Sequence, residues 1–441
     1  MMTCLNYLYM DNYRGFERQI CPIGTVNFLV GENSTGKSSL LAALSFLINF
    51  PSSSPANDAS RQLGSFQDCV SSASKDKKRF SIGWAQIKES DQKDGFFVLC
   101  GCYRIESSKG IPAVTSYAEK EQWAETTIAL SGSRYRIDTP QNLFSTIEEA
   151  KQYAFSFLES CGKTDERHGF KRFQKAMPPK NAPLMLITMF VKILATGGKD
   201  DDGVFESSTT PFGIKKVKSF DPIRSAPQRF YDAESIRNHD KRLSSYLQLR
   251  KITEAKGAEA KNKLKKLEEF GFESGLFDSI KTKSIGSKSA TAPFEVAIGY
   301  DGGPSTNIKN VGYGVSQVLP LLMDCIDPKE GICYSIQQPE VHLHPRAQAA
   351  FGDLIFDNMA ERNGMCLIET HSDFLIDHFR ISKRRAKASS KSSFLLFFER
   401  GNKHNRVTPM EIDDRGLYPE NQPEAFRKFF IDEAIMGLEL S

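Results

Sequence analysis

The residues with the clearest chemical potential form a glycine-rich loop near the N-terminus. Residues 31–38 read Gly-Glu-Asn-Ser-Thr-Gly-Lys-Ser, the GxxxxGK[ST] spacing, between an apolar segment at 26–30 and a helix-forming segment at 38–50. Such a loop presents backbone N–H groups to phosphates, while its lysine reaches the β and γ oxygens and its last serine binds Mg²⁺. The sequence predicts a bound nucleoside triphosphate and Mg²⁺. The residues predicted to hold them here are Gly31, Asn33, Ser34, Thr35, Gly36, Lys37, Ser38 and Ser39.

A second polar cluster follows an apolar strand in the C-terminal third. Residues 334–345 read Tyr-Ser-Ile-Gln-Gln-Pro-Glu-Val-His-Leu-His-Pro, and another apolar strand, 365–369, runs into Thr-His-Ser at 370–372. This pattern resembles the ABC-type ATPases of the SMC and OLD (overcoming lysogenisation defect) group. In that group the strand usually ends in two acidic residues before Pro-Glu and Leu-His-Pro. The resemblance implies that ATP is the nucleotide.

Three further motifs follow the order of the group. Residues 310–317 resemble its degenerate signature loop, whose helix N-terminus contacts the γ-phosphate of ATP held by the opposite subunit. The resemblance implies ATP contacts from Gly314 and Ser316, and a dimer. His371 resembles the switch histidine at the γ-phosphate. Gln67 resembles the Q-loop glutamine, which implies a role in binding ATP and Mg²⁺.

The chain departs from the group at the acid pair. Gln337 and Gln338 stand where one acid would hold Mg²⁺ and a second would orient the attacking water. An amide cannot serve as a general base, and losing such a base typically removes roughly 10²–10⁴-fold of rate. Glu340 is the nearest acid, but we expect Pro339 to aim it elsewhere. We therefore predict ATP binding with slow or absent hydrolysis, with a tolerated exchange as the alternative.

The resemblance covers residues 1 to about 106 and 224–380, and it implies an α/β fold: an ABC-type P-loop ATPase head with a mixed sheet. We expect no Toprim domain, because only about 70 residues follow His371 and they lack a DxD pair in a strand. The expected divisions are an N-terminal ATPase lobe (1–106), an inserted, partly helical segment of unknown role (107–240), a projecting helical segment (241–290), a C-terminal ATPase lobe (291–380), and a basic loop with the C-terminal tail (381–441).

Composition restricts the remaining possibilities. Net charge is only +4 among 58 basic and 54 acidic residues, so a nucleic-acid surface would need local clustering. Nine cysteines without CxxC spacing predict reduced, mostly buried thiols. With no signal peptide and no apolar run near about 20 residues, we expect a cytoplasmic protein with no membrane contact.

The predicted partners follow from the resemblance. The organisation is most similar to the PtuA family of the Septu anti-phage system, which accompanies an HNH nuclease, and next to the AriA family of PARIS, which holds a Toprim nuclease. This implies a separate nuclease subunit, with HNH favoured and Toprim possible, and a homo-oligomer, dimer or higher. A RecF-like DNA-repair ATPase that uses hydrolysis is the alternative, and a transporter ATPase is disfavoured.

DNA contact is a further possibility. The basic run comprises Arg380, Lys383, Arg384, Arg385, Lys387 and Lys391, and could bind a phosphate backbone. The alternative is a solvated loop. Lys261 to Lys266 is a rival patch.

Overall fold

The computed structural model describes residues 4–50, 63–74, 76–90, 94–120, 125–129, 134–138, 143–161, 171–172, 211–222, 226–232, 236, 243–286, 289, 291–360, 365–386 and 391–428. The strands are β1 (Cys4–Asp11), β2 (Gln19–Ile23), β3 (Val26–Gly31), β4 (Arg79–Glu89), β5 (Phe96–Ser108), β6 (Ile111–Lys120), β7 (Glu125–Ala129), β8 (Arg134–Asp138), β9 (Lys171–Arg172), β10 (Lys216–Phe220), β11 (Ser279–Ser284), β12 (Phe294–Gly299), β13 (Thr306–Asn307), β14 (Ile332–Gln337), β15 (Met365–Glu369), β16 (Ser393–Glu399) and β17 (Arg406–Glu411). The α-helices are α1 (Lys37–Asn49), α2 (Phe66–Cys69), α3 (Ile147–Cys161), α4 (Ser244–Glu254), α5 (Ala258–Ser274), α6 (Tyr313–Cys325), α7 (Pro345–Ile355) and α8 (Asp373–Ala386).

These strands form three sheets. The central sheet has the order β10-β14-β15-β3-β16-β17, in which all neighbours are parallel except the last pair. An antiparallel sheet has the order β2-β1-β4-β5-β6-β7-β8-β9, and a small one has the order β11-β12-β13. The expected α/β architecture with a mixed sheet is confirmed. None of the described helices is long and apolar enough to cross a membrane.

Helix α1 lies between the central and antiparallel sheets. Its Leu40 and Leu44 share a core with Leu367 of β15 and with Ile82 and Tyr103 of the antiparallel sheet. Helices α5 to α8 and the small sheet cover the other face of the central sheet, in a second core. The central strands are therefore buried on both faces, which explains their nearly continuous apolar runs.

The alternation along β15 identifies the two faces of the central sheet. Met365 and Leu367 join the core on the α1 side, whereas Cys366 and Ile368 join the opposite core. Successive side chains of a strand point to opposite faces. Glu369, the last residue of β15, is therefore directed to the α1 side.

The expected insertion at 107–240 is partly continuous with the sheets. Strand β5 crosses the boundary placed at 106, and β6 and β7 extend the same antiparallel sheet. Strand β10 pairs in parallel with β14 at the edge of the central sheet. Its sequence, Lys-Val-Lys-Ser-Phe, is half exposed as edge strands often are, so no apolar run marked it. The apolar residues at 184–194 predict a helix within this segment, and they lie outside the described residues.

The helical segment expected to project from 241–290 instead packs on the body of the protein. Leu267 and Phe270 of α5 are 1% and 3% exposed in the core shared with α7. Arg346 of α7 also donates to the carbonyl oxygens of Phe272 and Glu273, at 2.9 and 2.6 Å. The sequence showed one apolar stripe but could not show the helix that covers it.

The basic run is largely helical and partly structural, not the basic loop expected from residue 381. Arg380 to Arg385 lie in α8, and the Arg380 guanidinium stacks over the ring of Tyr418 at 4.0 Å. Lys383 is 2% exposed and donates to the carbonyl oxygen of Ile412 at 2.8 Å. Burial lowers the pKa of Lys383, and Asp414 partly opposes that shift. Among the described members of the run, Arg384 and Arg385 are exposed.

Replacing Lys383 with methionine tests this structural role. We expect Lys383→Met to lower the free energy of unfolding by about 1–3 kcal/mol, because the Ile412 carbonyl loses a charged donor. Chemical denaturation would measure it. The exposed neighbour gives the control, since Arg384→Met should change stability by less than about 0.5 kcal/mol. Equal effects of the two variants would contradict the structural role of Lys383.

Candidate nucleotide-binding site

The glycine-rich loop joins the end of β3 to the start of α1, as predicted. Its two glycines have φ of 141° at Gly31 and 103° at Gly36, which favour glycine. A Cβ at Gly31 would lie 2.2 Å from the carbonyl oxygen of Phe398, and one at Gly36 would lie 2.4 Å from the ring of Phe16. Backbone geometry and close packing therefore both require glycine at these two positions of the motif.

Side chains inside the loop fix its shape. The hydroxyl of Thr35 is buried and donates to the carbonyl oxygen of Glu32 at 2.7 Å. Ser34 has a φ of 63°, and both Asn33 and Ser34 are exposed at the tip. Ser39 instead accepts a hydrogen bond from Arg14, so its side chain faces the protein. The loop is preformed around a site that faces outward.

Lys37 and the start of α1 supply the positive potential of this site. Lys37 is 3% exposed, and its ammonium donates to the carbonyl oxygens of Gly31 and Glu32 at 2.7 and 2.8 Å. Burial lowers the pKa of Lys37, and the Glu369 carboxylate partly opposes that shift. Helix α1 begins without a side-chain cap. An uncapped helix N-terminus beside a buried ammonium is a donor set that fits phosphate oxygens.

Glu369 is a site residue that the motifs did not reveal. Its Oε1 lies 3.9 Å from Nζ of Lys37, and its Oε2 accepts a hydrogen bond from the Ser38 hydroxyl at 3.4 Å. The sequence carried a signal, since Glu369 ends a strand whose other four residues are apolar and buried. Polar residues at the carboxyl ends of parallel strands mark ligand sites in α/β sheets.

The two amides of the predicted acid-pair position take different directions. Gln337 is in register with Glu369 across the parallel pair of β14 and β15. Cys333 of β14 belongs to the α1-side core, so alternation directs Gln337 to that side also. Gln338 has a φ of 43°, and its N–H donates to the carbonyl oxygen of Glu369 at 2.7 Å. The chain therefore leaves the sheet at Gln338.

Glu340 holds the turn that carries His371. Its Oε1 accepts from the backbone N–H of His371 at 2.8 Å, and its Oε2 accepts from the Thr370 hydroxyl at 2.9 Å. Both carboxylate oxygens are engaged with this turn, and the His371 side chain is exposed. Glu340 is thus placed to orient His371, a position that the sequence did not anticipate.

Gln67 lies in the short helix α2 and is exposed. Arg14 ties this segment to α1, because its guanidinium donates to the Ser39 hydroxyl at 3.1 Å and to the Leu63 carbonyl at 3.2 Å. Its backbone N–H also donates to the Cys69 carbonyl at 2.6 Å. Sequence reasoning missed Arg14, since a single arginine in a turn has no motif around it.

The predicted signature loop presents an uncapped helix N-terminus. Gly312 precedes α6 and Tyr313 is 60% exposed, and no side chain caps the helix. A Cβ at Gly314 would lie 2.7 Å from the carbonyl oxygen of His342. Ser316 is fully buried, and its hydroxyl donates to the Tyr313 carbonyl at 2.9 Å. The exposed surface at the start of α6 is therefore formed by the residues before Ser316. The Ser316 side chain is buried beneath that surface.

No group of three or more His, Cys, Asp or Glu residues that could hold a metal ion is present in the described part of the chain. A magnesium ion that accompanies a nucleotide needs only one or two protein ligands, because phosphates and waters complete its shell. The Ser38 hydroxyl and the Glu369 carboxylate are oxygen donors of the type Mg²⁺ prefers.

Comparison with known proteins agrees with this geometry. Residues 4–180 match the model of an AAA ATPase domain, and residues 204–377 match that of an AAA domain described as putative AbiEii toxin, Type IV TA system. ATPase families of this kind bind ATP, usually with Mg²⁺. No curated protein matches the chain.

Solved structures of SMC heads resemble the chain at a low level. An SMC head bound to the C-winged helix domain of ScpA has 11% identity and a TM-score of 0.44, covering 92% of this chain and 97% of its own. An SMC head domain from Thermotoga maritima has 11% identity and a TM-score of 0.40, with 92% and 98% covered. An SMC head domain with an extended coiled coil, bound to the C-terminal domain of ScpA derived from Pyrococcus furiosus, has 12% sequence identity and a TM-score of 0.40. The match covers 100% of this chain and 99% of that one.

Two ATPase-domain models thus match successive parts of the chain, and both parts contribute strands to the central sheet that carries the phosphate loop. The chain has the fold of an ABC-type P-loop ATPase, and two successive parts of it are similar to ATPase domains of the AAA type.

Proposed function

We propose that the chain binds ATP with Mg²⁺ in the site formed by the phosphate loop and the ends of β14 and β15. The observation that carries this proposal is the uncapped start of α1 next to the buried Lys37 ammonium. Residues 31–38 surround the phosphates, Lys37 neutralises the β and γ oxygens, and Ser38 is a ligand of the metal. When bound, Mg²⁺ neutralises charge that develops on the phosphates.

Slow or absent hydrolysis is the second part of the proposal. Gln337 is an amide on the α1 side of the sheet, and Gln338 leaves the sheet in a left-handed conformation. Glu340 uses both carboxylate oxygens to hold Thr370 and the backbone of His371. None of these three side chains is a carboxylate free to take a proton from water, so the segment that follows β14 supplies no general base.

Association of two copies is the third part. The exposed N-terminus of α6 carries the positive end of a helix dipole and uncapped N–H groups, which suit the γ-phosphate of ATP on a second copy. This arrangement would complete each site only in a dimer. Higher oligomers can form from such dimers.

We further propose that the assembly regulates a separate nuclease in anti-phage defence, in the cytoplasm. The support is the description of the model that matches residues 204–377, which names a toxin and a toxin–antitoxin system, and the Septu-like organisation of the motifs. An HNH nuclease is the favoured partner and a Toprim nuclease the second. DNA contact by this chain is less favoured, because Arg380 and Lys383 are engaged internally.

ATP affinity tests the first part of the proposal. Lys37→Ala should weaken binding of ATP by about 10–100-fold, because about 1.5–3 kcal/mol of charged hydrogen bonding is lost. Isothermal titration calorimetry with Mg²⁺ would measure it. Lys78→Ala removes an exposed lysine and should bind ATP as the wild type does. Equal affinity of the Lys37 variant and the wild type would exclude this site.

Steady-state turnover tests the second part. We expect wild type to hydrolyse ATP as slowly as Lys37→Ala, whereas a variant carrying Gln337→Asp and Gln338→Glu should gain roughly 10²–10⁴-fold in kcat. Release of inorganic phosphate in the presence of Mg²⁺ gives the rates. Rapid turnover by wild type would favour the RecF-like motor instead.

The oligomeric state tests the third part. Gly312 and Gly257 are both exposed glycines that precede a helix, and a Cβ at either meets nothing within 4 Å. Gly312→Glu should prevent ATP-dependent dimerisation by repelling the γ-phosphate, without weakening ATP binding by the monomer. Gly257→Glu is the matched control and should dimerise. Light scattering with and without ATP would show this, and unchanged dimerisation of the Gly312 variant would argue against the proposed interface.

A further inference from the structure

We propose that Glu369, on β15, provides the carboxylate for Mg²⁺ that the end of β14 lacks. This inference rests on the proposed binding of ATP with Mg²⁺ and adds a metal-binding residue to it. The site would then use Ser38 and Glu369 as its protein oxygen donors, with Gln337 beside them.

Position is the first argument. Glu369 and Gln337 end adjacent parallel strands in register, and alternation directs both to the α1 side of the sheet. The Glu369 carboxylate therefore lies at the same edge of the sheet as residue 337, one strand away from it. Strands of a sheet lie about 4.8 Å apart, a shift that a glutamate side chain can span.

The distance to Ser38 is the second argument. Oε2 of Glu369 lies 3.4 Å from the Ser38 hydroxyl oxygen. Neighbouring ligands of an octahedral ion with bonds of about 2.1 Å lie about 3 Å apart. The two oxygens can thus contact one ion, or one ion and its bound water, after a shift of a few tenths of an ångström.

Incomplete satisfaction of the carboxylate is the third argument. Glu369 is 8% exposed, yet its two side-chain contacts in the described part of the chain are long, at 3.4 Å to Ser38 and 3.9 Å to Lys37. Lys37 has closer partners in two backbone carbonyls. A buried carboxylate usually has short hydrogen bonds or a closely bound cation, so the long contacts of Glu369 leave its oxygens able to bind a metal ion.

Glu340 is a second carboxylate near the same site, and its contacts differ from those of Glu369. Its two oxygens accept hydrogen bonds of 2.8 and 2.9 Å from His371 and Thr370. The two carboxylates therefore have different tasks. Glu340 holds a turn, and Glu369 remains available for a cation.

If Glu369 binds Mg²⁺, its charge should make ATP affinity depend on Mg²⁺, which an ion pair with Lys37 alone would not do. Without a metal, a carboxylate beside the phosphates repels them and weakens ATP binding. With Mg²⁺, the same carboxylate attracts the ion and strengthens binding, because metal and nucleotide affinities are linked. Glu369 should therefore increase the ratio of ATP affinity with Mg²⁺ to ATP affinity in EDTA.

The test is the affinity of the full chain for ATP with Mg²⁺ and with EDTA, in wild type and in Glu369→Gln. We expect the variant to lose about 10–100-fold of the enhancement by Mg²⁺, the range for disrupted metal sites, while its affinity in EDTA is equal or higher. Electron paramagnetic resonance of Mn²⁺ added with ATP gives a second measurement, in which the variant should bind Mn²⁺ more weakly.

Two further variants complete the design. Glu399 ends β16, which also neighbours β3, but alternation directs it to the opposite face of the sheet, so Glu399→Gln should keep the full enhancement. Adding Gln337→Asp to Glu369→Gln should restore it, because the acid returns on the adjacent strand. Rescue also shows that the double variant folds.

The outcomes separate this inference from the proposed function. If Glu369→Gln keeps the enhancement, or loses affinity equally with Mg²⁺ and EDTA, Glu369 acts only through Lys37 or not at all, and the inference is overturned while ATP binding stands. If wild type binds no more ATP than Lys37→Ala does, the proposed function fails, and the inference fails with it.

Discussion

The parallel pairing of β14, β15 and β3 is the constraint on which the site depends. These strands end at one edge of the central sheet, and their side chains are in register. The pairing brings together residues from three distant parts of the chain, Lys37, Gln337 and Glu369. The two cores that bury both faces of the sheet keep this register, since a slip by one residue would direct every side chain to the wrong face.

The chemistry of the site follows from which strand carries charge. At the end of β14 stands the amide of Gln337, which carries no charge to hold a cation. At the end of β15 a glutamate faces the same space, close to the Ser38 hydroxyl. If Glu369 binds the metal as we propose, metal binding and proton abstraction are separable, because a carboxylate that contacts a cation is a poor base. An ATP-binding subunit with little turnover is consistent with this division.

Much of the central fold could be predicted from sequence. The phosphate loop, the strand at 365–369 and the helix after residue 313 follow local patterns of apolar residues and glycine, and the structure has them where the patterns indicate. The edge strand β10 could not be found, because its alternating lysines show no buried face. The position of α5 against α7 depends on tertiary contacts that a one-sided apolar stripe does not specify.

The site residues likewise divide into those that a sequence motif reveals and those that only tertiary contacts reveal. Gly31, Gly36 and Lys37 belong to a motif with fixed spacing, so their places were predictable. The contacts of Glu340 with His371, of Arg14 with Ser39, and of Glu369 with Ser38 join residues 25 to 331 positions apart in sequence. A single sequence carries no record of such pairs.

Glu340 and Gly314 connect the turn at His371 to the start of α6, two regions that are distant in sequence. Glu340 is bound to the turn of His371, and two residues later the carbonyl of His342 lies against Gly314 at the start of α6. Displacement of the turn would be passed through two hydrogen bonds and one backbone contact to the exposed end of α6. A change at the phosphate loop would thereby reach the surface that we propose as the contact with a second copy.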